Sequence, residues 1–234
     1  IMKIALLGYG RMGKTIVQLA TDRGHEIVKT IDAADDSYDF NGAEVAIDFS
    51  IPSAAVANIT ACFEANIPVV SGTTGWLDKY DEMVSLCEQN KGAFIYASNF
   101  SVGVNIFFEL NKQLAKMMQG LKDYDVAMTE VHHIHKLDAP SGTAITLAEG
   151  ILEHSEKNDW ILDEQEANKI TIKAEREGEV PGTHTIKYES QVDEITIEHK
   201  AHNRNGFALG AIIAAEWLKD KTGVYSMKDV LNLS

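Results

Sequence analysis

The sequence has few of the features that mark secreted, membrane-bound or nucleic-acid-binding proteins. Its 234 residues include four prolines and two cysteines, and 21 basic residues stand against 35 acidic ones, a formal net charge of −14. Cys62 and Cys87 both lie in helical-looking stretches, which favours free, buried thiols in a reducing compartment. The acidic balance argues against binding to nucleic acid or an anionic membrane, because both need a cationic surface. No apolar run approaches the ~18 residues of a membrane span, and no signal peptide precedes the first strand, so we expect a cytoplasmic protein.

A glycine-rich turn near the N-terminus lies between a predicted strand and a predicted helix. The turn reads Gly8-Tyr9-Gly10-Arg11-Met12-Gly13 and directly follows the apolar run Ile4-Ala5-Leu6-Leu7. In this context the first glycine permits the turn, the second lets the backbone approach a pyrophosphate, and the third allows close packing of helix and strand. A second strand ends at Asp32, at the spacing of about 20 residues expected for a ribose-binding carboxylate. The pattern predicts a dinucleotide site, and the alternative is a glycine-rich turn beside a solvated acid.

The residues after Asp32 bear on which nicotinamide cofactor is used. Ala33-Ala34-Asp35-Asp36 follows, and it contains no lysine or arginine. An adenosine 2′-phosphate needs a nearby cation and is repelled by an aspartate. The local charge therefore predicts a preference for NADH, while Arg11 in the glycine turn leaves the use of NADPH open.

The first hundred residues alternate between strand-like and helical patterns. Such alternation predicts parallel crossover units and a Rossmann-like, doubly wound parallel sheet. The predicted strands are Lys3–Leu7, Glu26–Ile31, Val45–Phe49, Pro68–Ser71 and Ala93–Ala97, and the predicted helices are Gly13–Arg23, Ser53–Ala65 and Asp78–Asn90.

The middle of the chain has a different pattern. It begins with an amphipathic helix over Val104–Gly120, with Ile106, Leu110, Leu114 and Met117 on one face. The segments after it are predicted as a strand (Tyr124–Val131), a helix (Thr143–His154) and three alternating strands (Lys169–Glu175, His184–Glu189 and Glu194–His199). This alternation suits an open mixed sheet with one covered face, and a helix over Ala208–Lys219 returns to the first domain. The predicted fold class is α/β: residues 1–100 and 206–234 form a dinucleotide-binding domain, and residues 101–205 form a second, α+β domain for substrate binding and oligomerisation.

The densest polar segment runs from Glu130 to Thr143. It contains His132-His133-Ile134-His135-Lys136, and such side chains are costly to bury without a purpose. Histidine supplies a proton near neutral pH, and a lysine binds a carboxylate. Ser141-Gly142-Thr143 opens the following helix, whose N–H groups form a cradle for an anion. Simpler interpretations are that Ser141 or Thr143 is only a helix cap, that one histidine is structural, or that the histidines bind a metal, although no cysteine or carboxylate is convincingly spaced to complete such a site.

Several motifs occur in one order along nearly the whole chain. They are Gly8–Gly13, Asp48-Phe49-Ser50, Gly72-Thr73-Thr74-Gly75, Asn99-Phe100-Ser101-Val102-Gly103, His132-His133-Ile134-His135-Lys136 and Asp138-Ala139-Pro140-Ser141-Gly142-Thr143. This set closely resembles the 4-hydroxy-tetrahydrodipicolinate reductase family, also called dihydrodipicolinate reductases, which serve diaminopimelate and lysine biosynthesis. The histidine string carries most of the specificity of the match, because many unrelated enzymes share the glycine motif.

The resemblance implies a role for each matching residue. His132 would be the acid/base residue, Lys136 would assist it, and the two carboxylates of the substrate would be held by His133, Ser141, Gly142 and Thr143. The implied cofactor residues are Gly8, Tyr9, Gly10, Arg11, Met12, Gly13, Asp32, Ser50, Gly72, Thr73, Thr74, Ala97, Ser98, Asn99 and Phe100, and no metal is implied. Family members that use NADPH well often carry a basic residue just after the acidic one, where this chain has Ala33. The resemblance also implies a homotetramer built through the second domain, where we expect an apolar sheet face left uncovered by helices.

Together these inferences predict the reduction of 4-hydroxy-tetrahydrodipicolinate. Hydride would come from nicotinamide C4 and a proton through His132, while Lys136 and the Ser141-Gly142-Thr143 turn hold the carboxylates. One alternative is another two-domain dehydrogenase that acts on an imino acid, with a different proton donor and no need for this turn. A second alternative is a non-catalytic NAD(H) sensor, which would usually add a basic DNA-binding segment that this sequence lacks.

Overall fold

The chain forms two compact units. The computed structural model describes residues 1–32 and 38–233, so the segment Ala33–Asp36, on which the predicted cofactor preference depends, lies outside the described residues. Unit 1 comprises residues 1–102 and 205–234, and unit 2 comprises residues 103–204. The predicted domain boundaries lie within two residues of these limits.

The two units contain the following strands and helices. The strands are β1 (Lys3–Leu7), β2 (Glu26–Ile31), β3 (Val45–Asp48), β4 (Val69–Ser71), β5 (Ala93–Tyr96), β6 (Asp125–His132), β7 (Asp159–Leu162), β8 (Lys169–Arg176), β9 (Thr183–Glu189), β10 (Glu194–Lys200) and β11 (Gly223–Tyr225). The helices are α1 (Arg11–Asp22), α2 (Pro52–Glu64), α3 (Tyr80–Gln89), α4 (Val102–Met118), α5 (Gly142–Leu152), α6 (Asn205–Leu218) and α7 (Met227–Leu231). Most predicted elements match these within two or three residues, but β7, β11 and α7 were not predicted.

Unit 1 is a six-stranded parallel sheet with helices on both faces. Its strand order is β11-β5-β4-β3-β1-β2, and every neighbouring pair is parallel. Side chains of α1 and α6 belong to one buried cluster and those of α2 and α3 to another, so each face of the sheet has its own core. Strands buried on both faces read as continuous apolar runs, as β1 does. The predicted doubly wound fold is confirmed.

Unit 2 is built on a mixed five-stranded sheet. Its order is β10-β9-β6-β8-β7, with β6, β7 and β8 parallel to one another and β9 antiparallel to both β6 and β10. Ile170, Ile172 and Ile186 point to one face, where they are fully buried in a cluster that includes α5 side chains. The predicted mixed sheet is confirmed.

The opposite face of this sheet carries polar side chains. Thr171, Lys173, Thr185 and Lys187 alternate with the buried isoleucines along β8 and β9. Because the apolar side chains of β8 and β9 already pack against helices, the expected uncovered apolar face is not found on these two strands, whereas Ile195 of β10 is 39% exposed.

The expected apolar face of α4 is wrong at three of its four positions. Ile106 and Leu110 are about half exposed and Met117 is 68% exposed, whereas Leu114 packs against the core of unit 2 together with Phe107 and Ala115. Apolar residues occur on two sides of this helix, so sequence periodicity alone did not identify the buried side. Within residues 1–32 and 38–233, no helix is both long and apolar enough to cross a membrane.

Candidate active site

The predicted cofactor residues of unit 1 gather at one edge of its sheet. In an open α/β sheet, ligands bind outside the carboxyl ends of the strands. The predicted residues directly follow these ends: Gly8–Gly13 after β1, Asp32 after β2, Ser50 after β3, Gly72, Thr73 and Thr74 after β4, and Ala97, Ser98, Asn99 and Phe100 after β5. Parallel pairing of all five strands therefore brings together segments that are far apart in sequence.

The turn after β1 requires two of its three glycines, Gly8 and Gly13. Gly8 has a φ of +93°, and a Cβ there would collide with the carbonyl oxygen of Phe49. A Cβ on Gly13 would collide with the carbonyl oxygen of Gly8. Helix α1 then begins at Arg11 with Gly10 as its N-cap, no side-chain cap and no acidic residue in its first turn. Its first N–H groups and the positive end of its dipole are thus suited to a pyrophosphate.

A buried carboxylate organises the neighbouring loops. Asp48, at the end of β3, is fully buried and accepts hydrogen bonds from Ser50 Oγ at 2.7 Å, Asn58 Nδ2 at 2.9 Å and Ser71 Oγ at 2.7 Å. The backbone N–H of Ser50 in turn donates to Thr73 Oγ1 at 2.8 Å. Two predicted cofactor residues, Ser50 and Thr73, are therefore held in place by a hydrogen-bond network that was not predicted from the sequence. The one sequence feature that could have indicated this network is an aspartate at the end of a buried apolar strand.

In unit 2, strand register gathers the polar side chains around His132. Alternation along β6 places Glu130 and His132 on the same, buried face. Antiparallel pairing sets His184 of β9 opposite Glu130, and parallel pairing sets Arg176 of β8 opposite His132. Of these four residues, only His132 has a role predicted from the sequence. Glu130 lay within the polar segment, but His184 and Arg176 are distant in sequence and only the sheet register identifies them.

Glu130 lies at the centre of this cluster. It is fully buried, and both of its carboxylate oxygens accept a hydrogen bond from the Ser141 N–H at 3.1 Å. Its Oε2 lies 3.6 Å from His132 Nδ1 and 3.6 Å from His184 Nε2, and its Oε1 lies 3.6 Å from Arg176 Nη1. Burial alone would raise the pKa of Glu130, but its interactions with His184 and Ser141, and with His132 once that ring is protonated, lower it to about 2. The group is therefore a carboxylate at neutral pH.

His132 is neutral in the free protein. It is 8% exposed, and burial lowers its pKa to about 4, against the opposing effect of Glu130. Electrostatic interactions with His184, Lys136 and Arg176 lower this pKa further.

Lys136 lies on the loop after β6. Its Nζ contacts both carboxylate oxygens of Asp138, at 2.8 and 2.7 Å. Arg176 supports this loop, since its Nη2 donates to the Asp138 carbonyl at 2.7 Å and its Nε to the Lys136 carbonyl at 3.3 Å. Nearby, His133 is half-buried, whereas His135 is exposed and lies 3.1 Å from Glu179.

The Ser141-Gly142-Thr143 turn begins α5. Ser141 is buried, and its Oγ accepts a hydrogen bond from the Ala144 N–H at 3.1 Å and lies 3.1 Å from His184 Nε2. The hydroxyl of Ser141 is therefore a helix cap, one of the simpler interpretations of this motif. Gly142 is exposed and Thr143 is half-buried, and first-turn N–H groups have no acceptor within their own helix. These two N–H groups are available for an anion.

The cluster also has the composition of a metal site. Glu130, His132 and His184 offer ligand atoms that all lie within 4.8 Å of one another. The expectation that no carboxylate could complete such a site was wrong, because Glu130 does. However, Ser141 N–H already occupies both oxygens of Glu130, and the Arg176 guanidinium 3.6 Å away would repel a metal cation. The arrangement is better suited to holding a proton than a metal.

Comparison with protein families decides among the dehydrogenase classes that share this architecture. Residues 2–100 match the family model for the N-terminus of dihydrodipicolinate reductase, and residues 103–231 match the one for its C-terminus. The chain belongs to the dihydrodipicolinate reductase family. A 4-hydroxy-tetrahydrodipicolinate reductase from Christiangramia forsetii is 59% identical over 99% of this chain and 98% of its own length. A relative of the same name from Chromobacterium violaceum is 33% identical over 96% of each chain.

Solved structures share the fold. A dipicolinate-bound dihydrodipicolinate reductase from Paenisporosarcina sp. TG-14 superposes over 100% of both chains with a TM-score of 0.82 and 22% identity. An aspartate dehydrogenase from Thermotoga maritima covers 94% of this chain with a TM-score of 0.52 and 10% identity. At these identities the likeness concerns the fold alone.

Proposed function

We propose that the protein catalyses the NAD(P)H-dependent reduction of 4-hydroxy-tetrahydrodipicolinate to tetrahydrodipicolinate, a step of diaminopimelate and lysine biosynthesis. The observation that carries this proposal is the buried cluster of His132, Glu130 and His184 beside the start of α5. It combines a proton carrier with first-turn N–H groups suited to a carboxylate. The relative at 59% identity over the whole chain is named for this activity.

In the proposed mechanism each unit has its own task. In unit 1, the Gly8–Gly13 turn and the N-terminus of α1 bind the pyrophosphate of the cofactor, whose nicotinamide supplies the hydride when bound. In unit 2, Lys136 and the N–H groups of Gly142 and Thr143 bind the substrate carboxylates, with His133 as a further ligand. Lys136 exchanges its contact with Asp138 for the substrate.

His132 provides the proton that follows the hydride. The residue is neutral in the free protein because burial holds its pKa to about 4. Two substrate carboxylates nearby would raise that pKa, since an opposite charge favours the protonated imidazole. The proton is thus taken up as the substrate binds and is released to the reduced ring.

The test is NADH oxidation in the presence of freshly condensed aspartate semialdehyde and pyruvate. We expect oxidation that requires both compounds, and a fall in kcat of roughly 10²–10⁴-fold in His132→Gln with unchanged NADH binding. His135→Gln is the matched control, because His135 is exposed and pairs with exposed Glu179. Turnover of an imino acid instead would favour the amino-acid dehydrogenase alternative, and near-normal kcat in His132→Gln would move the proton donor to another residue.

We propose NADH as the preferred cofactor, with Asp32 contacting the ribose. Support comes from the sequence Asp32-Ala33-Ala34-Asp35-Asp36, which contains no cation for a 2′-phosphate. The measurement is kcat/KM for NADH and for NADPH at a fixed substrate concentration, with a higher value expected for NADH. A clear NADPH preference would contradict the charge argument, and its loss in Arg11→Ala would identify Arg11 as the 2′-phosphate ligand.

We also propose a cytoplasmic homotetramer assembled through unit 2. Support for this assembly comes from the resemblance to the dihydrodipicolinate reductase family, and the polar face of the unit 2 sheet is a candidate surface for it. The buried, free thiols of Cys62 and Cys87 suit a reducing compartment. Light scattering at micromolar concentration that showed a monomer would contradict the assembly.

A further inference from the structure

Glu130 is the one acid in unit 2 that combines complete burial with contacts to two histidines among the described residues. A buried carboxylate is costly unless several groups compensate its charge. Here the compensation is shared among the Ser141 N–H, His184 and the Arg176 guanidinium. Three elements, β8, β9 and the start of α5, thus hold Glu130 in place, which makes it a fixed reference point for its neighbours.

His132 presents one ring nitrogen to this carboxylate. His132 Nδ1 lies 3.6 Å from Glu130 Oε2, is buried, and has no hydrogen-bond partner among residues 1–32 and 38–233. A buried ring nitrogen without a partner is unfavourable. The separation is just beyond hydrogen-bond length, and such contacts in free enzymes often shorten only when the substrate is bound.

The other ring nitrogen of His132 is kept accessible by a glycine. A Cβ on Gly182 would lie 3.2 Å from His132 Nε2, closer than ordinary side-chain contacts. Gly182 has a φ of +154°, which side chains rarely adopt. The ring therefore has one nitrogen directed at a carboxylate and the other at a space that a side chain would fill.

We infer that Glu130 is a positioning residue for His132: its carboxylate fixes the imidazole with Nδ1–H towards Oε2, leaves Nε2 for proton transfer, and stabilises the protonated ring. This inference rests on the proposed function, in which His132 carries the reacting proton. The step forms an N–H bond at Nε2 when the proton arrives and breaks it when the proton passes to the substrate. Glu130 itself stays ionised throughout.

The charges around His132 act in opposite directions. Glu130 on β6 favours the protonated ring, whereas His184 on β9, Arg176 on β8 and Lys136 on the following loop oppose it. Glu130→Gln removes the negative charge but keeps the shape of the side chain, so only the groups that oppose protonation of His132 remain. An opposite charge within about 4–6 Å typically shifts a pKa by roughly 1–3 units.

The experiment is the pH profile of kcat for the full-length protein and for Glu130→Gln. Because His132 acts as an acid, kcat falls as pH rises through the pKa of its bound form. We expect this alkaline limb to move to lower pH by roughly 1–3 units in Glu130→Gln. Glu130→Asp, which keeps the charge, should restore most of the shift. Glu179→Gln is the matched control, since it removes a carboxylate from an exposed histidine 3.1 Å away and should leave the profile unchanged.

A second measurement uses the wild-type protein, so its outcome does not depend on whether a variant folds. In protein labelled with ¹⁵N at histidine, two-bond ¹H–¹⁵N spectra report which ring nitrogen of His132 carries the proton near pH 7. We expect the Nδ1–H form in the wild-type protein. An Nε2–H form, or an unchanged alkaline limb in Glu130→Gln, would overturn the inference. If the wild-type protein does not oxidise NADH with the condensed substrate, the proposed function fails first, and the spectrum still reports on the Glu130–His132 contact separately.

Discussion

At the scale of single residues, the ammonium group of Lys136 is already paired with a carboxylate in the free protein. Its Nζ holds both oxygens of Asp138, whose side chain is 65% exposed, whereas that of Lys136 is 20% exposed. An exposed partner binds weakly, because solvent screens the pair. In the proposed mechanism a substrate carboxylate would therefore displace Asp138 at little cost, and the Asp138 pairing would keep the ammonium group in place until then.

Lys136→Ala should weaken substrate use without affecting nucleotide binding. A charge-assisted hydrogen bond contributes roughly 1.5–3 kcal/mol, so the substrate KM should rise about ten- to a hundredfold. Steady-state kinetics and NADH titration measure the two effects separately. Lys136→Arg should not restore activity, because the planar guanidinium differs from a compact ammonium.

Lys122→Ala is the matched control for this variant. Lys122 lies in the same unit and pairs with Glu156, but its side chain is 75% exposed and lies outside the sheet. It should leave KM unchanged. Loss of NADH binding in Lys136→Ala, with substrate affinity retained, would contradict the division of tasks between the two units.

At the scale of secondary-structure elements, the carboxyl ends of β3 and β4 are tied together by Asp48. Its carboxylate accepts hydrogen bonds from two hydroxyl groups and one amide, and the backbone N–H of Gly72 donates a hydrogen bond to its carbonyl at 2.9 Å. In these short strands, few ladder hydrogen bonds fix the loops that follow. The side-chain network thus holds the loops that contain Ser50 and Thr73 in a fixed position relative to each other.

Asp48→Ala should destabilise unit 1 and weaken NADH binding together. It removes the shared acceptor of three donors, and each buried group left unpaired costs about 1–3 kcal/mol. Urea unfolding and NADH titration test this pair of effects. Asp229→Ala is the control, because it removes an exposed capping box from α7 in the same unit and should leave NADH affinity unchanged. Wild-type stability and affinity in Asp48→Ala would show that the network has no positioning role.

At the scale of the whole molecule, the buried cluster of unit 2 links stability to pH. The pKa of His132 is about 4 in the folded protein against 6.5 in the unfolded chain, and that of Glu130 is about 2 against 4.5. Between each pair of values the unfolded chain binds a proton that the folded chain does not, so stability falls as pH falls. The contribution of His132 to the free energy of unfolding is complete above pH 6.5 and is lost towards pH 4. The contribution of Glu130 is lost between pH 4.5 and 2.

The unfolding free energy should therefore decrease between pH 7.5 and pH 5, before Glu130 titrates. His132 accounts for roughly 2 kcal/mol of this decrease. His132→Gln should show a correspondingly smaller decrease, measured by urea unfolding at both pH values. His135→Gln, at an exposed site, should behave as the wild type does. Parallel pH dependence in all three proteins would contradict a depressed pKa at His132.

The sequence by itself determined the architecture of both units, the glycine turn and the segment that holds His132 and Lys136. These features depend on patterns within a dozen or so neighbouring residues, where backbone preferences and side-chain period act locally. Even there, the hydroxyl of Ser141 proved to be a helix cap, because capping and anion binding favour the same residue types.

Only the tertiary structure decided which distant groups surround His132 and which face of α4 is buried. His184 and Arg176 reach the cluster through the register of β6 with β9 and β8, and a shift of one residue would turn them to the other face. Asp48 likewise acquires its partners from three separate segments. Register and packing arise from the fit of whole elements, so local sequence patterns do not contain them. The sequence singled out His132 and Lys136, but it did not show that Glu130, His184 and Arg176 surround His132.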